Sequence, residues 1–374
     1  METIYFDNSA TTPLSKGAKE AAERMLLEFG NPSSRHALGV AAAKEVKAAR
    51  ESVAKLLRVK PTEIIFTAGG SEGNNMAIRR GANSHLGNHI VTTRVEHPSV
   101  LRTMEYMEEK GFRVTYVSPD AAGNISAERI AEALSPKTCL VSVMHINNET
   151  GNIFPVDSLR RYLNEVCPRA LFHVDAVQSF GKMPLYPEKW GIDLLTFSGH
   201  KIHALKGVGG LYMRQKLQLK PLILGGGQEG GYRSGTENTV GIASLGAAVR
   251  EVEFKNIERV AEIKEYLKDA VLQTVPDTVY HGSDEGSPYV LNLSFLGIRS
   301  EVLLNALSLR GVCVSSGSAC SSNHPSPSHV LTAMGKTRQE IDSAIRFSFS
   351  KDNTIDEAKR AVSLIRETVA ELRR

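Results

Sequence analysis

Leu171-Phe-His-Val-Asp175-Ala-Val-Gln178, followed by Leu194-Leu-Thr-Phe197-Ser198-Gly-His-Lys201, decides the fold. Each half is a short apolar run that stops at a reactive group: a carboxylate first, then an amine 26 residues later. Apolar runs of this length read as strands covered on both faces. Five more β-rich runs, at residues 64–67, 89–93, 113–117, 138–144 and 208–213, alternate with helical stretches. Such alternation implies crossover connections and a mainly parallel sheet under helices, so the fold class is α/β. The helices are amphipathic: Val46, Ala49, Val53 and Leu56 recur at three- and four-residue steps, which buries one face.

Beyond this region the pattern changes. A helical region spans residues 237–275, and sparser strands at 289–295, 312–314 and 344–348 follow, mixed with helices. This predicts a large domain of residues 14–258 and a smaller one of residues 1–13 and 259–374, in keeping with 374 residues in all. The last helix carries the stripe Ile355, Ala358, Val362, Ile365, Val369 and Leu372, and Thr354 with Glu357 fits a capping box. That helix reads as structural.

With 41% hydrophobic and 23% charged residues, disorder and fibrous structure are excluded. The 45 basic side chains exceed the 41 acidic ones by four and are dispersed, without the basic stripe that nucleic acid demands. No stretch approaches the ~18 apolar residues of a membrane helix, and Asp7 and Asn8 stand where a signal peptide needs an apolar core. A cytoplasmic protein is expected. Cys139, Cys167, Cys313 and Cys320 form no C-x-x-C pair, and His145, His173, His200 and His203 lack metal-ligand spacing, so neither a disulfide framework nor a metal is expected. Gly225-Gly-Gly227-Gln-Glu-Gly230 matches a dinucleotide fingerprint, but Gly231-Tyr-Arg-Ser-Gly follows it where a helix is required.

Four segments carry chemistry. Lys201 lies at the carboxyl edge of the sheet, where ligands enter open α/β folds, and a lysine there can form a Schiff base. Taken alone, it is equally an ordinary solvated lysine. Asp175 ends the neighbouring strand; an anion is what keeps a pyridine nitrogen protonated, the condition under which pyridoxal phosphate (PLP) is an electron sink. Asp is also a common turn residue. Ile64-Ile-Phe-Thr-Ala-Gly-Gly70-Ser71 runs from a strand through glycines into a helix start, where free N–H groups and the helix dipole favour a phosphate. The same pattern describes a plain βα turn. Finally, Cys320 sits in the polar segment 314–328, placed like a nucleophile, whereas Cys139 and Cys313 have apolar neighbours and read as buried.

Together these segments resemble the cysteine desulfurases of the NifS/IscS type, PLP enzymes of the class V aminotransferase superfamily. The likeness runs from Tyr5-Phe-Asp-Asn-Ser-Ala-Thr-Thr-Pro13 through Gly30-Asn31-Pro, Glu96-His97, Met144-His-Ile-Asn-Asn148-Glu, Arg233-Ser-Gly-Thr236 and Ser315-Ser-Gly-Ser-Ala-Cys320 to Arg346-Phe-Ser348. It implies the fold type I architecture of PLP-dependent transferases and a homodimer. It also implies that Lys201 binds the cofactor aldehyde, Asp175 pairs with the ring nitrogen, Gln178 donates to the phenolic oxygen, and His97 stacks on the ring and assists proton transfer. Gly70, Ser71, Ser198 and His200 match phosphate-cradle positions, with Thr236 supplied by the other subunit. Asn148 lines the cofactor, and Asn31 and Arg346 hold the substrate carboxylate. In this family Cys320 would take sulfur from L-cysteine as a persulfide and pass it to an acceptor protein such as an iron–sulfur cluster scaffold. Selenocysteine lyase, or another class V PLP enzyme, is the alternative. The sequence departs from the family pattern at Ile202-His-Ala204-Leu205, where Gly-Pro-Lys-Gly is usual, and at Ser71, where Thr is usual.

Overall fold

A computed structural model describes residues 3–82, 87–316 and 327–374. Its strands are β1 (Ile4–Tyr5), β2 (Ile64–Thr67), β3 (His89–Thr93), β4 (Arg113–Val117), β5 (Thr138–Met144), β6 (Leu171–Asp175), β7 (Leu194–Ser198), β8 (Gly209–Met213), β9 (Thr278–His281), β10 (Val290–Phe295), β11 (Val312–Cys313), β12 (Ser315–Ser316) and β13 (Ala344–Ser348). The helices are α1 (Lys16–Leu27), α2 (Ala37–Leu57), α3 (Gly70–Gly81), α4 (Pro98–Glu109), α5 (Ala127–Ala131), α6 (Leu159–Val166), α7 (Thr239–Arg250), α8 (Asn256–Thr274), α9 (Ser300–Leu309), α10 (His329–Ala333), α11 (Arg338–Asp342) and α12 (Ile355–Leu372).

The central sheet has the order β2-β8-β7-β6-β5-β3-β4. Every neighbour pair is parallel except those of β8, which runs against both β2 and β7. This is the α/β, mainly parallel architecture expected. All residues of β5, β6 and β7 are buried, because helices cover both faces. Side chains alternate between two cores: Leu171 joins Met76 and Met104 of α3 and α4, while Phe172 and Val174 join Val53 of α2 and Leu163 of α6. The consequence for function is directional. β2, β6 and β7 all deliver their carboxyl ends, with Asp175 and Ser198, to one edge of the sheet.

A second, antiparallel sheet has the order β12-β13-β10-β9 and buries its own core, including Ile4, Phe6, Leu291, Phe347 and Ile365, against α8, α9 and α12. β1 pairs in parallel with β11. The segment between β1 and α1 crosses to the central sheet, where Thr12 N donates to His200 O (2.9 Å) and His203 N donates to Thr12 Oγ1 (2.7 Å).

Several local expectations change. The helical region 237–275 is two helices, broken after Arg250 where Glu251 turns aside and its carboxylate accepts from Gly17 N (2.9 Å). In α12 the Thr354–Glu357 capping box forms, but Ile355 and Leu372 at the ends of the stripe stay exposed, and Ala361 and Thr368 complete the buried face. Cys139 is buried, as read, whereas Cys313 is only half-buried, because β11 is a two-residue strand paired with β1. Cys320 lies outside the described residues. The glycine-rich stretch near residue 229 is pinned to α2 by a bidentate ion pair of Arg50 with Glu229 (2.7 and 2.8 Å) and to β2 by Phe66 N, which donates to Glu229 (2.8 Å).

Candidate active site

A cavity of about 380 Å³ opens at the carboxyl edge of the central sheet. Ten of the residues singled out in the sequence line it: Gly70, Ser71, His97, Asn148, Asp175, Gln178, Ser198, His200, Lys201 and Arg346. Asn31 and Thr236 do not. Asn31 is exposed, with its Oδ1 accepting from Ser33 N (2.9 Å), and Thr236 is exposed on the loop before α7.

The floor of the cavity is built from strand ends. Asp175 closes β6, and its carboxylate, 4% exposed, accepts from Val177 N (2.9 Å) at one oxygen and from Asn74 Nδ2 (2.8 Å) at the other, which leaves acceptor capacity toward the cavity. Beside it, β7 ends at Ser198 and the chain folds into a tight turn over Gly199–Lys201. A Cβ at Gly199 would come within 3.2 Å of the Ala204 Cβ and within 3.0 Å of Val208, so this turn, departing from the family pattern, closes tightly. His203 takes φ +69° to complete it. Lys201 Nζ emerges from that turn and donates to Ser9 O (2.5 Å) and Ala10 O (2.7 Å).

One wall is the start of α3. Gly69 caps it with φ +152° and no side-chain acceptor, so the first-turn N–H groups remain without an internal cap. A Cβ on Gly70 would lie 2.6 Å from Val177 Cγ2. Only glycine lets the helix start approach the strand ends so closely. With Ser71, Ser198 and His200 on the same cavity, the arrangement suits an anion. Burial, then the charges of Lys201, Lys206 and Lys182, push His200 down to about 4, so it presents a neutral ring.

His97 forms the opposite wall as the N-cap of α4. Its Nδ1 accepts from Ser99 N (3.1 Å) and meets Ser99 Oγ at 2.8 Å. An accepting Nδ1 assigns the proton of the neutral ring to Nε2. Burial lowers the proton affinity of His97, with the Asp175 charge opposing. Ser99 Oγ in turn accepts from Asn74 Nδ2 (2.8 Å), so one amide links the His97 and Asp175 supports. The sequence offered Asn74 and Ser99 no distinguishing pattern; their adjacency to the strand-glycine-helix and Glu96-His97 segments was the only available signal.

Arg346 enters from β13 of the second sheet, 4% exposed. It donates to Asn148 O (3.0 Å) and to Asp7 Oδ1 (3.0 Å), while its buried Nε has no partner among the described residues. An unsatisfied guanidinium donor beside a cavity suits a carboxylate ligand. Among the described residues no cluster of His, Cys, Asp or Glu is placed to hold a metal ion, and no helix is long and apolar enough to cross a membrane.

The family model described as aminotransferase class-V matches residues 4–361. The chain belongs to that family. Within class V, it is 42% identical to the cysteine desulfurase of Nostoc sp. (strain PCC 7120) over 380 residues, covering all of this chain and 94% of the relative. A solved structure titled as a NifS-like protein superposes with a TM-score of 0.92 at 37% identity, covering 99% of this chain and 100% of the other. Another, titled SspA in complex with cysteine, gives 0.83 at 37% identity over 93% and 99%. The class-V architecture thus accounts for both sheets.

Proposed function

We propose that this chain is a PLP-dependent cysteine desulfurase, converting L-cysteine to L-alanine and retaining the sulfur on Cys320. The observation that carries the reading is the convergence of Lys201 Nζ, the Asp175 carboxylate and the uncapped first turn of α3 on one cavity. These groups fit PLP. The cradle of Gly70, Ser71, Ser198 and His200 suits the phosphate, Asp175 the ring nitrogen, His97 the ring face, Gln178 the phenolic oxygen and Lys201 the aldehyde carbon, with Asn148 on the rim. Bound PLP supplies an electron sink that acidifies the Cα–H bond of an amino acid.

The chain's own groups supply the rest. The Arg346 guanidinium, with its spare Nε donor, holds the substrate carboxylate; Asn31, exposed outside the cavity, is its partner only by resemblance to the family. Lys201 Nζ moves the Cα proton, and neutral His97 carries its transferable proton on Nε2. Cys320 receives the substrate sulfur: a thiol and cysteine become a persulfide and alanine, so the atoms balance without an external oxidant. The persulfide is then passed to an acceptor protein, an iron–sulfur scaffold or a thio-cofactor enzyme. We further propose a cytoplasmic homodimer in which the partner's copy of the Arg233–Thr236 loop completes the cradle; exposed Leu26, Leu27, Phe29 and Leu224 give a second copy apolar surface to cover. A large domain of residues 14–258, with residues 1–13 and 259–374 as the smaller one, is the division we propose.

The test is to supply purified protein with PLP and cysteine, and to score alanine, sulfide under reductant, and persulfide on Cys320. Cys320→Ala is expected to keep the visible colour and lose both products; Lys201→Ala is expected to lose the normal colour. A wild-type protein that takes up no PLP would falsify the reading, and full activity in Cys320→Ala would remove the assigned nucleophile. Amino-group transfer that depends on a 2-oxo acid would point to an aminotransferase instead.

A further inference from the structure

Behind the active-site cavity lies a second amine. The side chain of Lys182, 6% exposed, donates from Nζ to Gln178 Oε1 (3.2 Å) and has no carboxylate within ion-pair distance among the described residues. The Tyr289 ring centroid is 5.7 Å from its Nζ. It shares a water-sized cavity of about 30 Å³ with Lys201, and His203, Glu251, Glu253, Tyr289 and Lys351 face the same space. A buried amine without a counter-charge is costly, and burial, then the charges of Lys201 and Arg346, push Lys182 down to about 7.

Gln178 shows what the amine does. The two ends of a glutamine amide are nearly identical in shape but opposite in polarity, so neighbours decide which end faces the site. Here Gln178 Nε2 donates to Ser9 O (3.1 Å), the same carbonyl that holds Lys201 Nζ, and its second N–H remains for the cavity. At the other end a protonated Lys182 can donate and cannot accept, so it takes only the oxygen.

We propose that Lys182 is a positioning residue, which fixes the Gln178 amide with its oxygen turned inward and its nitrogen turned toward the cofactor. This rests on the reading of the cavity as a PLP site. The effect is on cofactor affinity and is carried by the Gln178 amide, beside the charge that Lys182 also places near His200.

The experiment titrates PLP into cofactor-free protein at pH 6, below the value of about 7 to which burial pushes Lys182. Lys182→Met is expected to weaken binding about tenfold, the scale of one charge-assisted hydrogen bond. Its cofactor-free form should melt at the same temperature or higher, since a lone buried amine has been replaced by an apolar chain of similar length. In a Gln178→Leu background, itself weakened, Lys182→Met should produce no further loss. Lys182→Gln, which can both donate and accept, serves the same cycle if Lys182→Met does not fold, with a smaller loss expected. Unchanged affinity in Lys182→Met, or an equal loss in the Gln178→Leu background, overturns the proposal. A wild-type protein that binds no PLP at all removes the underlying reading, and that outcome is told apart by the wild-type titration.

Discussion

At the scale of single residues, the site depends on groups that orient other groups. Asn74 is the clearest: one Nδ2 serves both Asp175 Oδ2 and Ser99 Oγ at 2.8 Å. Asn74→Ala should leave the Asp175 carboxylate short of a donor and free the His97 ring to turn. A loss of about 1.5–3 kcal/mol is expected for a hydrogen bond to a charged group, about ten- to a hundredfold in kcat/KM for alanine formation; unchanged kinetics would dismiss this role. Asp175 and Lys201 were legible in the sequence because each punctuates an apolar strand, so a change of residue type marks the spot. Asn74 and Lys182 were not. Each sits within an otherwise ordinary helix or turn, and Asn74 meets its carboxylate across 101 residues of chain.

Among the elements, α3 is the one whose placement the chemistry needs. Gly73 lets it lie on the sheet: a Cβ there would stand 2.7 Å from Thr196 Cγ2 on β7. Gly73→Ala should therefore lift the helix start, costing about 1–3 kcal/mol of stability and weakening PLP binding, as thermal melts and a PLP titration would show. Thr354→Ala is the contrasting case. It breaks a capping box far from the cavity and should cost about 1 kcal/mol with kcat unchanged. The central strands could be read from sequence because burial on both faces leaves a continuous apolar run. β1, β9 and β12 could not, because two to four residues carry too little periodicity and pairing with distant segments holds them in place. The break between α7 and α8 was hidden for a related reason: no Gly or Pro marks it, and the Gly17–Glu251 contact is a tertiary one.

For the molecule as a whole, buried neutral histidines set the response to acid. Burial pushes His173 down to about 3, and His89, His145 and His281 to about 4. In the unfolded chain a histidine titrates near 6.5, so below that pH the unfolded state binds protons that the folded state refuses. Their contribution is fully present above about pH 6.5 and declines as the pH falls toward 4. Glu96, raised to about 8 by burial, and Glu149, also raised by burial, act in the opposite sense from about pH 4.5 upward, but His200, pushed to about 4, adds to the histidine side. Urea midpoints should accordingly fall between pH 7 and pH 5, and a flat profile would show that these rings are protonated in the native state. Segments far apart in sequence meet at the cavity. Asp7 and Arg346 meet across 339 residues, while the carbonyls of Ser9 and Ala10 grip the Lys201 amine. On the ribosome, the first strands of the central sheet are released well before the strand that bears the arginine. A chain released only as far as the central sheet can thus assemble its scaffold, yet under the proposed function it lacks the guanidinium that would grasp an amino acid until β13 has emerged.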